Sequence, residues 1–169
     1  MIDGFTRARV AAQDAEYPVI YTVLRFTPNY PEISDHNRQL KAVRAAQRNT
    51  AGLADEEIHP DLQPTLTDIV VEKKRVSAFA ENELALVLRA QRVTHLALGG
   101  IATSAVVLST VREAADRDFE LAVLSDCCAD PNEEVHRILL EKVYPQQADV
   151  MTSAEWIAHT GTAITISSQ

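Results

Sequence analysis

Two rhythms of apolar residues alternate along this chain. Short runs dense in Val, Ile, Leu and Tyr recur at residues 19–26 (VIYTVLRF), 68–73 (DIVVEK), 96–98, 120–125 (ELAVLS) and 148–151. Runs of that length and composition predict buried strands. Between them apolar residues fall three and four apart, the spacing of one helix face. This predicts helices over residues 1–16, 38–48, 83–90, 133–144 and 153–158, the last capped by Ser153. Tyr17-Pro18 ends the first helix, because proline disfavours a helical residue before it. Strand and helix in turn predict an α/β fold with a doubly wound, mostly parallel sheet of five to six strands in three layers. Residues 1–169 read as one domain with a tail at 161–169, in which residues 162–166 are strand-like.

The stretch His95 to Arg117 (HLALGGIATSAVVLSTVREAADR) organises the rest. A short strand breaks at Gly99-Gly100, and a helix restarts with Thr103 or Ser104 placed to cap it. Val107, Leu108, Val111, Ala114 and Ala115 then mark its buried face. Such a turn brings backbone N–H groups to the carboxyl end of a parallel sheet, where open α/β folds place their sites. The glycines also fit a plain tight turn. They match neither a phosphate loop nor a dinucleotide fingerprint, lacking the later glycine and the Gly-Lys pair. Residues 27–66 hold Pro28, Pro31, Pro60 and Pro64, and a connection this long shapes a pocket or an interface.

A net charge of −8 argues against a nucleic-acid or anionic-membrane partner. The only cysteines, Cys127 and Cys128, are adjacent, which points away from a disulfide scaffold and towards the cytoplasm. Lys73 ends a predicted strand and reads either as a cation at the sheet's carboxyl edge or as a solvated strand end. Asp126 ends another, where a capping or turn role is favoured over a site role. The cysteines have no neighbouring base in sequence, which favours buried structural thiols over nucleophiles. His36, His59, His95, His136 and His159 lack ligand-like spacing, so no metal is expected.

Several stretches taken together resemble the isochorismatase-like cysteine hydrolase superfamily. They are PVIYTVLRF, IHPDL, DIVVEKKRVSAF, NELALVLRA, GGIATSAVVLSTVREAADRDFELAVLSDCCAD and EVHRILLEKVYPQQADV, which cover nearly all of residues 18–156 in the family's order. The resemblance implies a six-stranded parallel sheet flanked by helices, a homo-oligomer (dimer or tetramer), no cofactor, and hydrolysis of a small molecule at an amide or enol-ether bond. Its amidases use an aspartate, a lysine and a cysteine nucleophile. The family's lysine falls on Lys73, five residues before Ala78. The turn's unusual, often cis, peptide falls between Ile101 and Ala102, so that Ile101, Ala102 and Thr103 would aim donors at an oxyanion. The nucleophile position falls on Val106, as in a branch that lacks the cysteine, and a valine cannot form a thioester.

The family's aspartate ends a strand ahead of the first helix, and this chain begins near that helix, which makes Asp3 the candidate acid, although it fits a helix N-cap equally well. In the family that strand lies centrally, between the strands at 19–26 and 96–98. The resemblance therefore implies one of three outcomes: residues ahead of Met1 supply the strand, the sheet closes over the gap, or residues 162–166 fill it. Two functions follow. The first is a hydrolase without a cysteine nucleophile; the second is a catalytically inactive relative serving as a small-molecule-binding or oligomeric scaffold.

Overall fold

The computed structural model describes residues 1–46 and 58–163. Five strands are present, β1 (Ile20–Leu24), β2 (Ile69–Lys73), β3 (His95–Ile101), β4 (Glu120–Ala129) and β5 (Asp149–Met151). The α-helices are α1 (Ile2–Asp14), α2 (Arg38–Ala45), α3 (Leu84–Ala90), α4 (Leu108–Ala115), α5 (Glu133–Ile138) and α6 (Ser153–Ala163). Every strand pair is parallel, and helices cover both faces, as the alternation of elements predicts. The end of the predicted 38–48 helix lies outside the described residues.

The strands do not form one sheet. β1 pairs only with β2, and a second sheet runs β3-β4-β5. Among the described residues β1 and β3 therefore each keep an edge without a strand partner, and the two do not pair with each other across the gap. Burial records the same division: no residue of β3 is buried, whereas five of the ten in β4 are. An edge strand exposes backbone groups that a central one pairs. Thr162 and Ala163 end α6 and belong to no strand, and residues 164–166 lie outside the described residues.

Two helical layers span the division. On one face Val71 of β2 packs in the same apolar cluster as Leu84 and Leu88 of α3, Val111 and Ala114 of α4, Leu121 and Val123 of β4, and Tyr144. On the other, Ala8 of α1 meets Leu124 and Cys127 of β4, with Met151 and Trp156 against them. α1 also reaches both sheets by hydrogen bonds. Gln13 donates to Asp68 ahead of β2 at 2.9 Å, and Arg7 donates to Asp126 of β4 at 3.1 Å.

Three boundaries differ from expectation. β3 runs through Gly99-Gly100 to Ile101, and β4 runs past Ser125 to Ala129. The extension is irregular: Leu98 pairs with Val123 but Gly100 with Cys128, so between these pairs one residue of β3 (99) faces four of β4 (124–127). Strand alternation turns Cys127 to the α1 face and Cys128 to the other, so neighbouring thiols end in different clusters. Finally, Ser153 does not cap α6. Thr152 does, its Oγ1 accepting from the Glu155 N–H at 3.2 Å while the Glu155 carboxylate accepts from the Thr152 N–H at 2.7 Å.

Gly99 is required by this crossing. A Cβ there would stand 2.7 Å from Cβ of Cys127 and 2.9 Å from its carbonyl oxygen, whereas one at Gly100 would meet Val107 at an ordinary 3.5 Å. Gly99→Ala is therefore expected to cost about 1–3 kcal/mol of overpacking strain, and Gly100→Ala distinctly less. Urea denaturation of both variants checks this; equal losses would show that the contact with Cys127 is not what excludes a side chain.

Candidate functional site

The carboxyl ends of β1, β2 and β3 surround a cleft of about 320 Å³ at the seam between the sheets. β1 contributes Thr22, Val23 and Leu24, and α2 contributes Gln39, Leu40 and Val43. Lys73 ends β2, Val76 follows it, and Ile101, Ala105 and Val106 close the opposite wall. The α2 wall is held from behind by Phe26, Tyr30 and Ile33, which bury Leu40 with them. Residues 27–46 thus shape a pocket.

Lys73 lies within the protein because of strand alternation. Val71 and Lys73 point inward while Val70 and Glu72 point out. The lysine is 3% exposed, and its Nζ donates to the carbonyls of Arg75 and Val76, each at 2.9 Å. Two of its three protons are thus engaged, and the third is free for the cleft. Among the described residues no carboxylate forms an ion pair with it. Burial lowers its pKa from the usual lysine range to about 8.

Val106 sits in the turn that follows β3. The peptide joining Ile101 and Ala102 is cis. Thr103–Val107 then form one turn of π-helix before α4 begins. Neither Thr103 nor Ser104 caps a helix, because their groups are engaged from behind. Thr103 is fully buried, with Oγ1 2.8 Å from Nδ1 of His136, and its carbonyl accepts from the Tyr144 hydroxyl at 2.6 Å. The Ser104 N–H donates to Asp130 at 2.7 Å, and the Ser104 side chain, with this N–H behind it, holds the Asp130 carboxyl below its ordinary range. Of the three proposed oxyanion positions, only Ile101 lines the cleft, where it is 62% exposed.

The other candidates stand elsewhere. Asp3 is exposed in the first turn of α1 and does not line the cleft. Asp126 accepts the N–H and hydroxyl of Ser153 at 2.7 and 2.6 Å and pairs with Arg7. Burial would raise its pKa, but these partners hold it below the usual value. It is a structural anchor for α1 and α6. Cys127 and Cys128 are both buried, free and outside the cleft. Burial, reinforced by Asp126, pushes the Cys127 thiol up to about 12, and burial takes Cys128 to about 11, so neither supplies thiolate near neutrality. Among the described residues no group of His, Cys, Asp or Glu is arranged to hold a metal ion.

Several wall residues escape sequence reasoning. Thr22 supplies the one hydroxyl among the lining side chains, and nothing in VIYTVLRF marks it. Leu40 and Val43 had a signal, their three-residue spacing on a short helix, but not their destination.

A sequence profile of the isochorismatase domain matches residues 1–155. The chain is 38% identical over 150 residues to the ureidoacrylate amidohydrolase RutB of Acinetobacter baylyi, a match covering 81% of this chain and 61% of that protein. It is 25% identical over 141 residues to the maleamate amidohydrolase of Pseudomonas putida, covering 83% and 65%. The crystal structure of a cysteine hydrolase from Pseudomonas syringae pv. phaseolicola superposes with a TM-score of 0.89 at 25% identity, over 96% of this chain and 81% of that one. The chain spans about 60% of the length of the ureidoacrylate amidohydrolases it matches.

The buried lysine makes a prediction about stability. Its pKa is about 8 when folded against 10.5 ordinarily, so between these values the unfolded chain binds more protons and stability rises with pH. The thiols and phenols titrate identically in Lys73→Met, so the difference between parent and variant isolates the lysine. Denaturation measured from pH 8 to 10.5 should show the parent gaining about 3 kcal/mol relative to the variant. A constant difference would mean that the ammonium is not desolvated in the fold.

Proposed function

The chain belongs to the isochorismatase family, and on that premise we propose that it hydrolyses a small molecule at an amide or enol-ether bond without a cysteine nucleophile. The observation that carries this reading is Lys73: a buried ammonium with one unengaged proton, in the same cleft as Ile101 and Val106. A free ammonium proton within an apolar wall can hold a substrate carbonyl or carboxylate oxygen far more strongly than it could in water. Val106 offers no lone pair, so no acyl-enzyme forms there. Water adds directly across the scissile bond and its proton passes to the leaving nitrogen or oxygen. The named activities of the relatives, on ureidoacrylate and maleamate, favour an amide of a small unsaturated acid, whose carboxylate would suit Lys73. The same reading takes the protein as a cytoplasmic homo-oligomer that needs no cofactor.

A specific observation favours a second reading. Among the described residues Lys73 is the one ionisable side chain lining the cleft, and no carboxylate among them stands there to move a proton. On this reading the protein binds a small acid without turning it over.

One assay separates the two. Purified protein is given maleamate, ureidoacrylate and simple enol ethers, and both release of product and binding are followed. For a hydrolase, Lys73→Met should lower kcat/KM at least a hundred-fold, while Cys127→Ala with Cys128→Ala leaves it unchanged. Because the ammonium is the working form, the parent's rate should fall as pH rises through about 8. Turnover that survives Lys73→Met would sink the mechanism; Lys73-dependent binding without turnover would establish the scaffold.

A further inference from the structure

We infer that Tyr144 is a positioning residue for the cleft, setting through one buried hydrogen bond the backbone turn that carries Val106. This rests on the reading of the cleft as the reactive site; the geometry behind it does not.

The turn at 103–107 presents two sides. Ala105 and Val106 face the cleft, whereas Thr103 and Ser104 do not line it. Both of the latter are gripped from the segment after β4, by Asp130, His136 and Tyr144. Of these grips Tyr144 is the deepest. It is 1% exposed and packs in the same apolar cluster as Val107 and Cys128, with its hydroxyl donating to the Thr103 carbonyl at 2.6 Å across 41 residues of sequence. The ring is anchored by packing, so the hydroxyl is a fixed point from which the carbonyl takes its direction. The plane of that peptide also fixes the Ser104 N–H, which meets Asp130. Burial raises the phenol's pKa, keeping the hydroxyl a donor at all ordinary pH. Removing it strips the Thr103 carbonyl of its side-chain donor and leaves it only a backbone N–H at the end of the π turn, so the peptide that orients residues 105 and 106 loses its tie to the segment after β4.

A merely structural tyrosine would behave differently. Its ring would matter and its hydroxyl would affect the whole domain or nothing. Tyr144→Phe keeps the ring and removes only the oxygen, so it separates the two. Hydrogen exchange is followed by mass spectrometry on peptides covering residues 102–108, with residues 120–125 of β4 as the internal control, and maleamate is the kinetic probe. Amides at 102–108 should exchange at least ten-fold faster with the β4 control unchanged, and kcat should fall about ten-fold with KM held within two-fold. His136→Gln, which loosens the same turn at Thr103, should give the same local pattern. Unchanged exchange at 102–108 in both variants would overturn the inference, as would acceleration spread equally to β4. If parent and variants alike fail to turn maleamate over, the hydrolase reading fails for that substrate, and the exchange pattern still decides the role of Tyr144.

Discussion

The interaction on which the rest of this structure depends is apolar packing across a seam that, among the described residues, no strand-to-strand hydrogen bonds cross. In a continuous parallel sheet, the ladder itself ties one half to the other. Here β1 and β3 are not paired, so the β1-β2 ribbon is held to the three-stranded sheet by what lies above and below it. Val71 buried against the α3–α4 layer provides the tie on one face. On the other, α1 reaches from Asp68 to Asp126 through Gln13 and Arg7. Side-chain packing is short-ranged and non-directional, whereas a ladder fixes register. The relative placement of the two ribbons is accordingly a matter of helix packing, and the cleft, which has one wall on each ribbon, inherits its dimensions from α1, α3 and α4.

Much of this was legible in the sequence, and the exceptions share a physical cause. Each of the five strands and six α-helices among the described residues overlaps a segment that apolar spacing marks, because burial on one face of a local element leaves a local period, although β3, β4 and α6 run beyond theirs. Lys73 was legible as a strand-end cation, and the family resemblance put the unusual peptide between Ile101 and Ala102, which is cis. What could not be read depends on contacts between distant residues. The continuation of β3 and β4 through Gly99-Gly100 and Asp126-Cys127-Cys128 is one example: it exists because an insertion in one strand is matched by a glycine in the other. The engagement of Thr103 and Ser104 is another. Both have the composition of helix caps, and both are taken by Asp130, His136 and Tyr144 instead. At α6 the expected cap was misplaced by one residue, since Ser153 is drawn away by Asp126 and leaves Thr152 to close the box with Glu155.

The electrostatics divide the polar groups into those that hold the fold and those available for chemistry. Asp126, Asp130 and Glu113 have carboxyls held below their ordinary values by specific donors, and each joins segments far apart in the chain. The two thiols are shifted the other way by burial, which makes them inert packing groups. Lys73 fits neither description. Its ammonium is desolvated, yet it is met by carbonyl dipoles and not by a counter-charge. A buried cation without an anionic partner is unfavourable for folding unless something else favours it. In a protein of net charge −8, the lack of a carboxylate partner for Lys73 among the described residues supports the proposal that this position serves a ligand.

That argument also bears on how a site could work with valine at 106. A nucleophilic side chain must be activated and then regenerated, which requires a base within hydrogen-bond reach. Among the described lining residues the one ionisable group is Lys73, and no carboxylate among them stands ready to accept the proton of a cysteine placed there. Direct attack by water makes a smaller demand: the substrate must be held with its polarised atom near a cation and the surroundings kept dry. Leu24, Leu40, Val43, Val76 and Val106 provide the dry wall, Lys73 the cation and Thr22 a hydroxyl that can orient a water. Valine at 106 is therefore consistent with its described neighbours, since with them it completes an apolar surface around the Lys73 ammonium.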